Sequence, residues 1–163
     1  MKHQLLIAAL LVAFPGMLSA QQSGTVSSAD QNLEQGRAMI REGRLEVIRS
    51  ELHFTEAEAF AFWPIYGKYR DEIDAIQDRY AAMVRDYLKR YEAADLTDEY
   101  ADELMATFFS TRRGRLDVQE KYLPRFRAVL PARKVARLFQ LEHKISAEID
   151  AELALVVPLV DPT

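Results

Sequence analysis

The fold is decided by the stretch TEAEAFAFWPIYGKYRDEIDAIQDRYAAMVRDYLKRY, which occupies residues 55–91. Its apolar and aromatic positions recur at alternating steps of three and four, at Ala59, Phe62, Tyr66, Tyr69, Ile73, Ile76, Tyr80, Met83 and Tyr87. Such spacing is a heptad pattern, which gathers these side chains on one face of a helix. At about 1.5 Å per residue the helix reaches roughly 55 Å, and it cannot bury that face against itself. The sequence therefore predicts that other helices of the chain, or a second copy, lie along it.

Helix-start signals on both sides of this stretch divide the chain into four predicted helices. Thr55 and Glu58 have the spacing of a capping box, and Thr97 is suited to cap a third helix. Pro131 suits the first position of a fourth helix, because proline has no backbone N–H to satisfy there. The predicted helices cover residues 30–52, 55–91, 97–130 and 131–157.

The third predicted helix carries an apolar stripe of its own. Its positions are Met105, Phe109, Leu116, Leu123, Phe126 and Leu130, with Arg112 and Gln119 at two further places. Because the second and third helices are similar in length and joined near Asp95, they are expected to form a long antiparallel hairpin. No hairpin-turn signal or alternating run indicates a β-sheet. The predicted fold is therefore all-α, a helical hairpin with flanking N- and C-terminal helices, and it is dimeric.

The N-terminal residues 1–20 have the features of a secretory signal peptide. A basic start at Lys2 precedes a short apolar core, and Pro15 and a small residue at Ala20 follow it. An uncleaved membrane anchor is the alternative. The remaining chain is expected as a flexible lead over 21–30, one helical domain over 31–157 and a tail over 158–163. Export together with the absence of cysteine suits a periplasmic protein.

Charge is segregated along the sequence. Between Arg112 and Lys144 there are ten basic and three acidic residues, whereas between Glu46 and Glu103 there are fifteen acidic and seven basic residues. One interpretation is complementarity between helices of one chain or of a dimer. The other is an exposed basic surface for acidic or disordered partners. The overall net charge of −4 argues against general nucleic-acid binding.

The chain offers little that resembles catalytic or metal-binding chemistry. Without cysteine, metal ligands would have to come from carboxylates and from His53 or His143, whose spacing specifies no site. Either histidine could still join a metal site across a dimer. No serine-based nucleophile motif or glycine-rich phosphate loop is present. The sequence therefore predicts a protein that is not an enzyme and that has no cofactor and no metal of its own.

The tyrosines of the long helix leave two interpretations open. A dry heptad face favours leucine, isoleucine and valine, because each buried tyrosine hydroxyl needs a hydrogen-bond partner. The tyrosines therefore belong either to a packed core with hydroxyls at its edge, or to a half-wet surface that contacts many partners. On the second interpretation the contact surface comprises Phe62, Trp63, Tyr66, Tyr69, Tyr80, Tyr87, Arg112, Arg113 and Arg125.

The segment FTEAEAFAFWPIYGKY at residues 54–69 resembles the opening of small periplasmic helical proteins related to the Spy/CpxP family. Proteins of that family carry two LTxxQ-type motifs at helix starts. Phe54, Thr55 and Glu58 match the first motif, with Phe in place of Leu and Glu in place of Gln. Leu130, Pro131 and Lys134 stand where the second falls, with Pro and Lys as the differences, and Leu96, Thr97 and Tyr100 form a partial copy.

The resemblance covers residues 45–155 as an architecture, and it implies a function. It implies a cradle-shaped antiparallel homodimer that binds unfolded or misfolded envelope proteins without ATP. The first alternative is an accessory or regulatory subunit of an envelope stress or metal-sensing system, with a sensor kinase as partner. The second is a structural protein with one fixed partner. Under the chaperone interpretation, the aromatic and arginine positions named above are the client-binding residues.

Overall fold

The computed structural model describes the backbone of residues 25–161 and the side chains of residues 38–161. Within that range the protein is all-helical and has no strand, which confirms the predicted fold class. The helices are α1 (Thr25–Leu52), α2 (Glu56–Glu92), α3 (Asp98–Arg127) and α4 (Ala132–Val156). The signal peptide predicted over residues 1–20 lies outside the described residues.

The chain divides into two compact units, Met1–His53 and Phe54–Thr163, where the sequence predicted one domain over 31–157. His53 has a positive φ of 45° at the boundary, and the helix stops there. The first unit contains α1, which begins at Thr25. The flexible lead predicted over 21–30 overlaps the start of this helix from Thr25 onward.

The second unit begins with the predicted capping box. The Glu58 backbone N–H donates to Thr55 Oγ1 at 3.2 Å, and the Thr55 N–H donates to Glu58 Oε2 at 2.8 Å. Thr97 caps α3 in the same way, accepting from the Tyr100 N–H at 3.2 Å. Pro131 is the N-cap of α4 and not its first helical residue. Both threonine caps were read correctly from the sequence, because they need only local geometry.

An aromatic core joins α2, α3 and α4 at one end of the second unit. The ring of Phe126 on α3 lies 5.6 Å from both Phe62 and Tyr69 on α2, between centroids. Phe139 of α4 lies 6.0 Å from Phe126 and 6.4 Å from Tyr69. Leu138, which precedes Phe139 on α4, is also fully buried. The predicted face of α2 is therefore its buried face.

Contacts between α2 and α3 continue away from this core. Lys121 Nζ lies 2.7 Å from Glu72 Oε1, and the Arg90 guanidinium lies 4.4 Å from the centre of the Tyr100 ring. Gly114 faces Ile76, because a Cβ added to the glycine would meet Ile76 Cδ1 at 3.5 Å. The two helices thus touch near both their ends and near the middle.

The apolar stripe predicted for α3 is exposed in its first half. Met105, Phe109 and Leu116 are 44%, 50% and 53% exposed. The buried positions of α3 are instead Tyr100, Thr111, Tyr122 and Phe126. The face that meets α2 is thus turned by about one residue relative to the predicted one, with Thr111 in place of Arg112 and Tyr122 in place of Leu123. The face of α3 that meets α2 includes Tyr100, Thr111, Tyr122 and Gly114. A pattern of apolar residues alone does not include these positions.

Candidate binding surface

Most of the aromatic residues predicted to bind clients lie in the core. Phe62, Tyr66, Tyr69 and Tyr87 are 0%, 1%, 1% and 4% exposed. The half-wet tyrosine face is therefore wrong for these four residues, and the packed-core interpretation is right for them. The long-range contacts of α2 explain this, because rings from α3 and α4 cover the face on which they lie.

Tyrosine is tolerated in this core because the buried hydroxyls find partners. Tyr66 donates to Glu142 Oε1 at 2.6 Å, and Tyr122 donates to Glu72 Oε1 at 2.8 Å. Tyr87 donates to the backbone carbonyl of Pro158 at 2.9 Å. A buried hydroxyl without such a partner would be strongly destabilising. The tyrosine positions of α2 thus follow from packing and need no ligand to explain them.

Glu142 lies at the centre of a buried polar network between α2 and α4. Its side chain is 1% exposed, and its Oε2 accepts from Arg70 Nη1 at 3.1 Å. Arg70 also reaches Asp74 Oδ1 at 2.5 Å. The neighbouring Ser146 hydroxyl donates to the Glu142 backbone carbonyl at 2.8 Å, and Arg115 donates to that hydroxyl. This network fixes the relative position of the two helices and leaves no open cleft at the carboxylate.

Burial raises the pKa of Tyr69 to about 12, with the Glu142 charge as a further cause. The folded protein therefore retains this proton at a pH where the unfolded chain, with a pKa near 10, has lost it. We expect the contribution of Tyr69 to stability to be full below pH 10 and to fall as the pH rises from 10 to 12.

The Tyr69→Phe variant tests this expectation, because it keeps the ring and removes the titrating hydroxyl. The unfolding free energy in urea is measured at several pH values from 9 upward for both proteins. The wild-type curve should fall more steeply, by up to about 1.4 kcal/mol per pH unit for one proton. Other tyrosines are common to both proteins and cancel in the difference. Parallel curves would show that Tyr69 titrates normally.

The remaining predicted site residues lie at or near the surface. Trp63 and Tyr80 are half-buried, whereas Arg112, Arg113 and Arg125 are exposed. The Arg125 guanidinium lies 4.6 Å from the centre of the Tyr122 ring, and that of Arg112 lies 4.5 Å from the centre of the Phe108 ring. The structure therefore does not bring the predicted aromatic and basic residues together into one accessible surface.

An accessible surface of the expected chemistry is found on α3. Met105, Phe109 and Leu116 are exposed, and Arg112 lies among them at helical spacing. We call these four residues the α3 stripe. The sequence had identified all four as positions of one helix face, but it had not established which face of α3 packs against α2. The signal that indicates it is Gly114, whose lack of a side chain suits the side of α3 that approaches α2.

Other large apolar side chains are exposed away from the α3 stripe. Phe60 on α2 is 86% exposed. Near the C-terminus four more residues are exposed, namely Leu155, Val156, Leu159 and Val160. Leu159 and Val160 belong to the predicted tail over 158–163. Single exposed apolar residues are common, so Phe60 alone does not indicate a site.

The residues at the last place of the two family-like motifs pair with each other. Lys134 Nζ donates to Glu58 Oε2 at 2.6 Å, and Glu58 also caps α2. The hydrogen bond from Lys134 and that from the Thr55 N–H lower the pKa of Glu58. Together with the pair between Lys121 and Glu72, this contact shows that part of the charge segregation is satisfied within the chain.

Two further properties concern the described residues only. No group of three or more histidine or acidic side chains within residues 38–161 is arranged to hold a metal ion, and His53 and His143 are both exposed. None of the helices described between residues 25 and 161 is long and apolar enough to cross a membrane.

Comparison with protein-family models, with curated proteins and with solved structures finds no match to this chain. The resemblance to the Spy/CpxP family therefore remains a prediction from the residues that carry it.

Proposed function

We propose that this protein is an ATP-independent chaperone-like protein that binds non-native polypeptides through the α3 stripe. It acts in the periplasm after export through residues 1–20, and its α2 and α3 form an antiparallel hairpin that assembles as a homodimer. The observation that carries the proposal is the exposure of Met105, Phe109 and Leu116 on a helix whose opposite face is packed.

The chemistry of the α3 stripe suits partners that share no sequence. Methionine, aromatic residues and arginine are enriched at binding surfaces, and methionine adapts its shape to different neighbours. Arg112 and the exposed Arg113 add positive charge beside the apolar side chains. A non-native polypeptide exposes apolar segments that a folded protein buries, so a shallow apolar and cationic surface can bind it without a defined pocket.

The pairwise contacts support the hairpin. Phe62 contacts Phe126 near the start of α2 and the end of α3, and Glu72 contacts Lys121 further along. Arg90, near the end of α2, contacts Tyr100 near the start of α3. Positions that advance along α2 thus meet positions that retreat along α3, as antiparallel helices joined by a short turn require.

The test is suppression of aggregation of a chemically denatured model protein, without nucleotide, by the Phe109→Ser/Leu116→Ser variant. We expect suppression to fall several-fold, because contact side chains at binding surfaces are often each worth about 1–2 kcal/mol. The thermal melt should hardly move, since both side chains are about half exposed in the folded protein.

Phe60→Ser is the matched control, because it removes an equally large apolar side chain that is exposed on α2. This variant should suppress aggregation as well as the wild type. Undiminished suppression by the α3 variant would reject the α3 stripe as the client site. Binding of one folded protein with high affinity, and of no denatured protein, would favour a regulatory subunit instead.

A further inference from the structure

The exposed face of α3 extends beyond the α3 stripe toward the start of the helix. Residues 98, 102, 105, 109, 112 and 116 are all exposed and are spaced by four and three. At 3.6 residues per turn these positions lie within a narrow arc, on a different side of the helix from Tyr100, Thr111 and Tyr122. This face is about 27 Å long at roughly 1.5 Å per residue.

The charges along this face are ordered. Glu99 and Asp102 lie toward its first end, Met105 and Phe109 at its centre, and Arg112 and Arg113 beyond them. Asp102 and Arg113 form no salt bridge within the described part of the chain. A helix with acids at one end and arginines at the other is complementary to a copy of itself in the antiparallel direction. A parallel copy would place like charges opposite each other.

We propose that Met105 and Phe109, at the centre of this face, pack against the same residues of a second copy of this chain, antiparallel and related by a two-fold axis near Thr107. In this register Asp102 lies opposite Arg112 of the partner subunit, and Met105 lies opposite the partner's Phe109. At the two ends of the face Asp98 lies opposite the partner's Leu116. Flanking these, Glu99 lies beside Arg113 of the partner subunit. The two-fold symmetry repeats each pair, so the interface contains four ion pairs around an apolar centre.

Neighbouring registers do not achieve this match. Displacement by seven residues in one direction places Arg112 opposite the partner's Phe109. Displacement in the other direction places Asp102 opposite the partner's Met105. Both lose the pairing of Asp102 with Arg112 and place one of these two charges against an apolar side chain at the centre of the interface, which is costly when the charge is desolvated. The charge order therefore selects one register.

The interface has a functional consequence that rests on the proposed function. The side chains that would contact a non-native polypeptide are those that the second copy covers. Self-association and client binding therefore compete, and the dimer is a form in which the client surface is protected from water. A protein that exposes such a surface only on dissociation avoids nonspecific association of its own apolar residues.

Charge reversal tests the interface without reference to any client. Asp102→Arg and Arg112→Asp should each raise the dissociation constant of the dimer at least tenfold in analytical ultracentrifugation. An equimolar mixture of the two variants should form a heterodimer, because every reversed charge then faces its opposite. The double variant D102R/R112D should regain the homodimer for the same reason. Unchanged far-UV circular dichroism and a cooperative thermal melt show that the variants are folded, since the melting temperature itself falls when the dimer is weakened.

Two results would overturn the interface. One is a wild type that stays monomeric at high micromolar concentration. The other is a mixture of the single variants that sediments no faster than either variant alone. Asp117→Arg is the control, because Asp117 is exposed and in this register lies opposite the partner's Thr97, outside the proposed ion pairs, and it should leave the dimer intact.

The second arm uses fluorescently labelled carboxymethylated α-lactalbumin, a permanently unfolded protein, as the probe. Adding the probe should dissociate the wild-type dimer, and D102R should bind the probe several-fold more tightly than D117R, which carries the same added charge. Probe bound to an intact dimer would overturn the competition. Absence of probe binding in every variant, with the heterodimer formed, would reject the proposed function and the competition and leave the interface standing.

Discussion

Phe126→Ala should lower the free energy of unfolding by about 3–5 kcal/mol, the range for large aromatic side chains truncated in a packed core. Phe126 is fully buried, and its ring is surrounded by those of Phe62, Tyr69 and Phe139 from the neighbouring helices. Truncation removes this packing and leaves a cavity that the rings held by α2 and α4 cannot easily fill. Urea unfolding followed by far-UV circular dichroism measures the change.

Phe109→Ala is the matched control, because the same substitution is made on the same helix where the side chain is half exposed. We expect its effect to stay within about 0.5 kcal/mol of the wild type, when both are measured at a concentration low enough for the protein to be monomeric, because dimer formation would add to the stability of the wild type. If Phe126→Ala does not fold at all, the milder Phe126→Leu should still fold with reduced stability. Equal effects at the two positions would show that the buried face of α3 is not the one described.

The α2 helix and its face could be predicted from the sequence because its signals are local. Thr55 and Glu58 are three residues apart and satisfy each other. Every heptad position from Phe62 to Ile76 is occupied by an aromatic or aliphatic residue. Periodicity and capping are therefore sufficient to place this helix and the side chains that it buries.

The partners of the tyrosine hydroxyls could not be predicted, and neither could the face of α3. Tyr66 finds its acceptor in Glu142, which lies 76 residues away. No local pattern shows that pairing, so the tyrosines fitted a wet surface as well as a core. On α3 only the apolar residues were used to predict a helix face. The buried face instead includes Tyr122, whose hydroxyl donates to Glu72. The buried face of α3 therefore depends on tyrosine side chains, and the positions of apolar residues alone did not predict it.

The client surface that we propose differs from the one predicted from the sequence for the same reason. Most of the aromatic residues of the predicted site are buried in the core, whereas Arg112 and Arg113 are exposed. Exposed apolar residues beside them came from the stripe predicted on α3. The contact surface that we propose is still apolar and cationic, but it lies on α3 alone.

Glu142→Leu is expected to be as damaging as the loss of a core ring, although the glutamate is charged. Its carboxylate accepts from Tyr66 at 2.6 Å and from Arg70 at 3.1 Å. Leucine would leave a buried hydroxyl without an acceptor and remove the principal buried partner of a guanidinium that is 13% exposed. Removing one member of a buried ion pair typically costs about 3–5 kcal/mol. Arg70 still reaches Asp74, which places the expected loss near the lower end.

Two companion variants separate the causes of that loss. Glu142→Gln keeps an acceptor for the Tyr66 hydroxyl, so it should be less destabilising than Glu142→Leu and should report mainly on the lost charge. The double variant Arg70→Met/Glu142→Leu removes both charges, and it should be more stable than the sum of the single changes requires, because neither charge is then left unpaired. The measurement is urea unfolding of all variants at neutral pH. Strictly additive effects, or a Glu142→Leu variant as stable as the wild type, would show that the carboxylate does not hold α2 and α4 together.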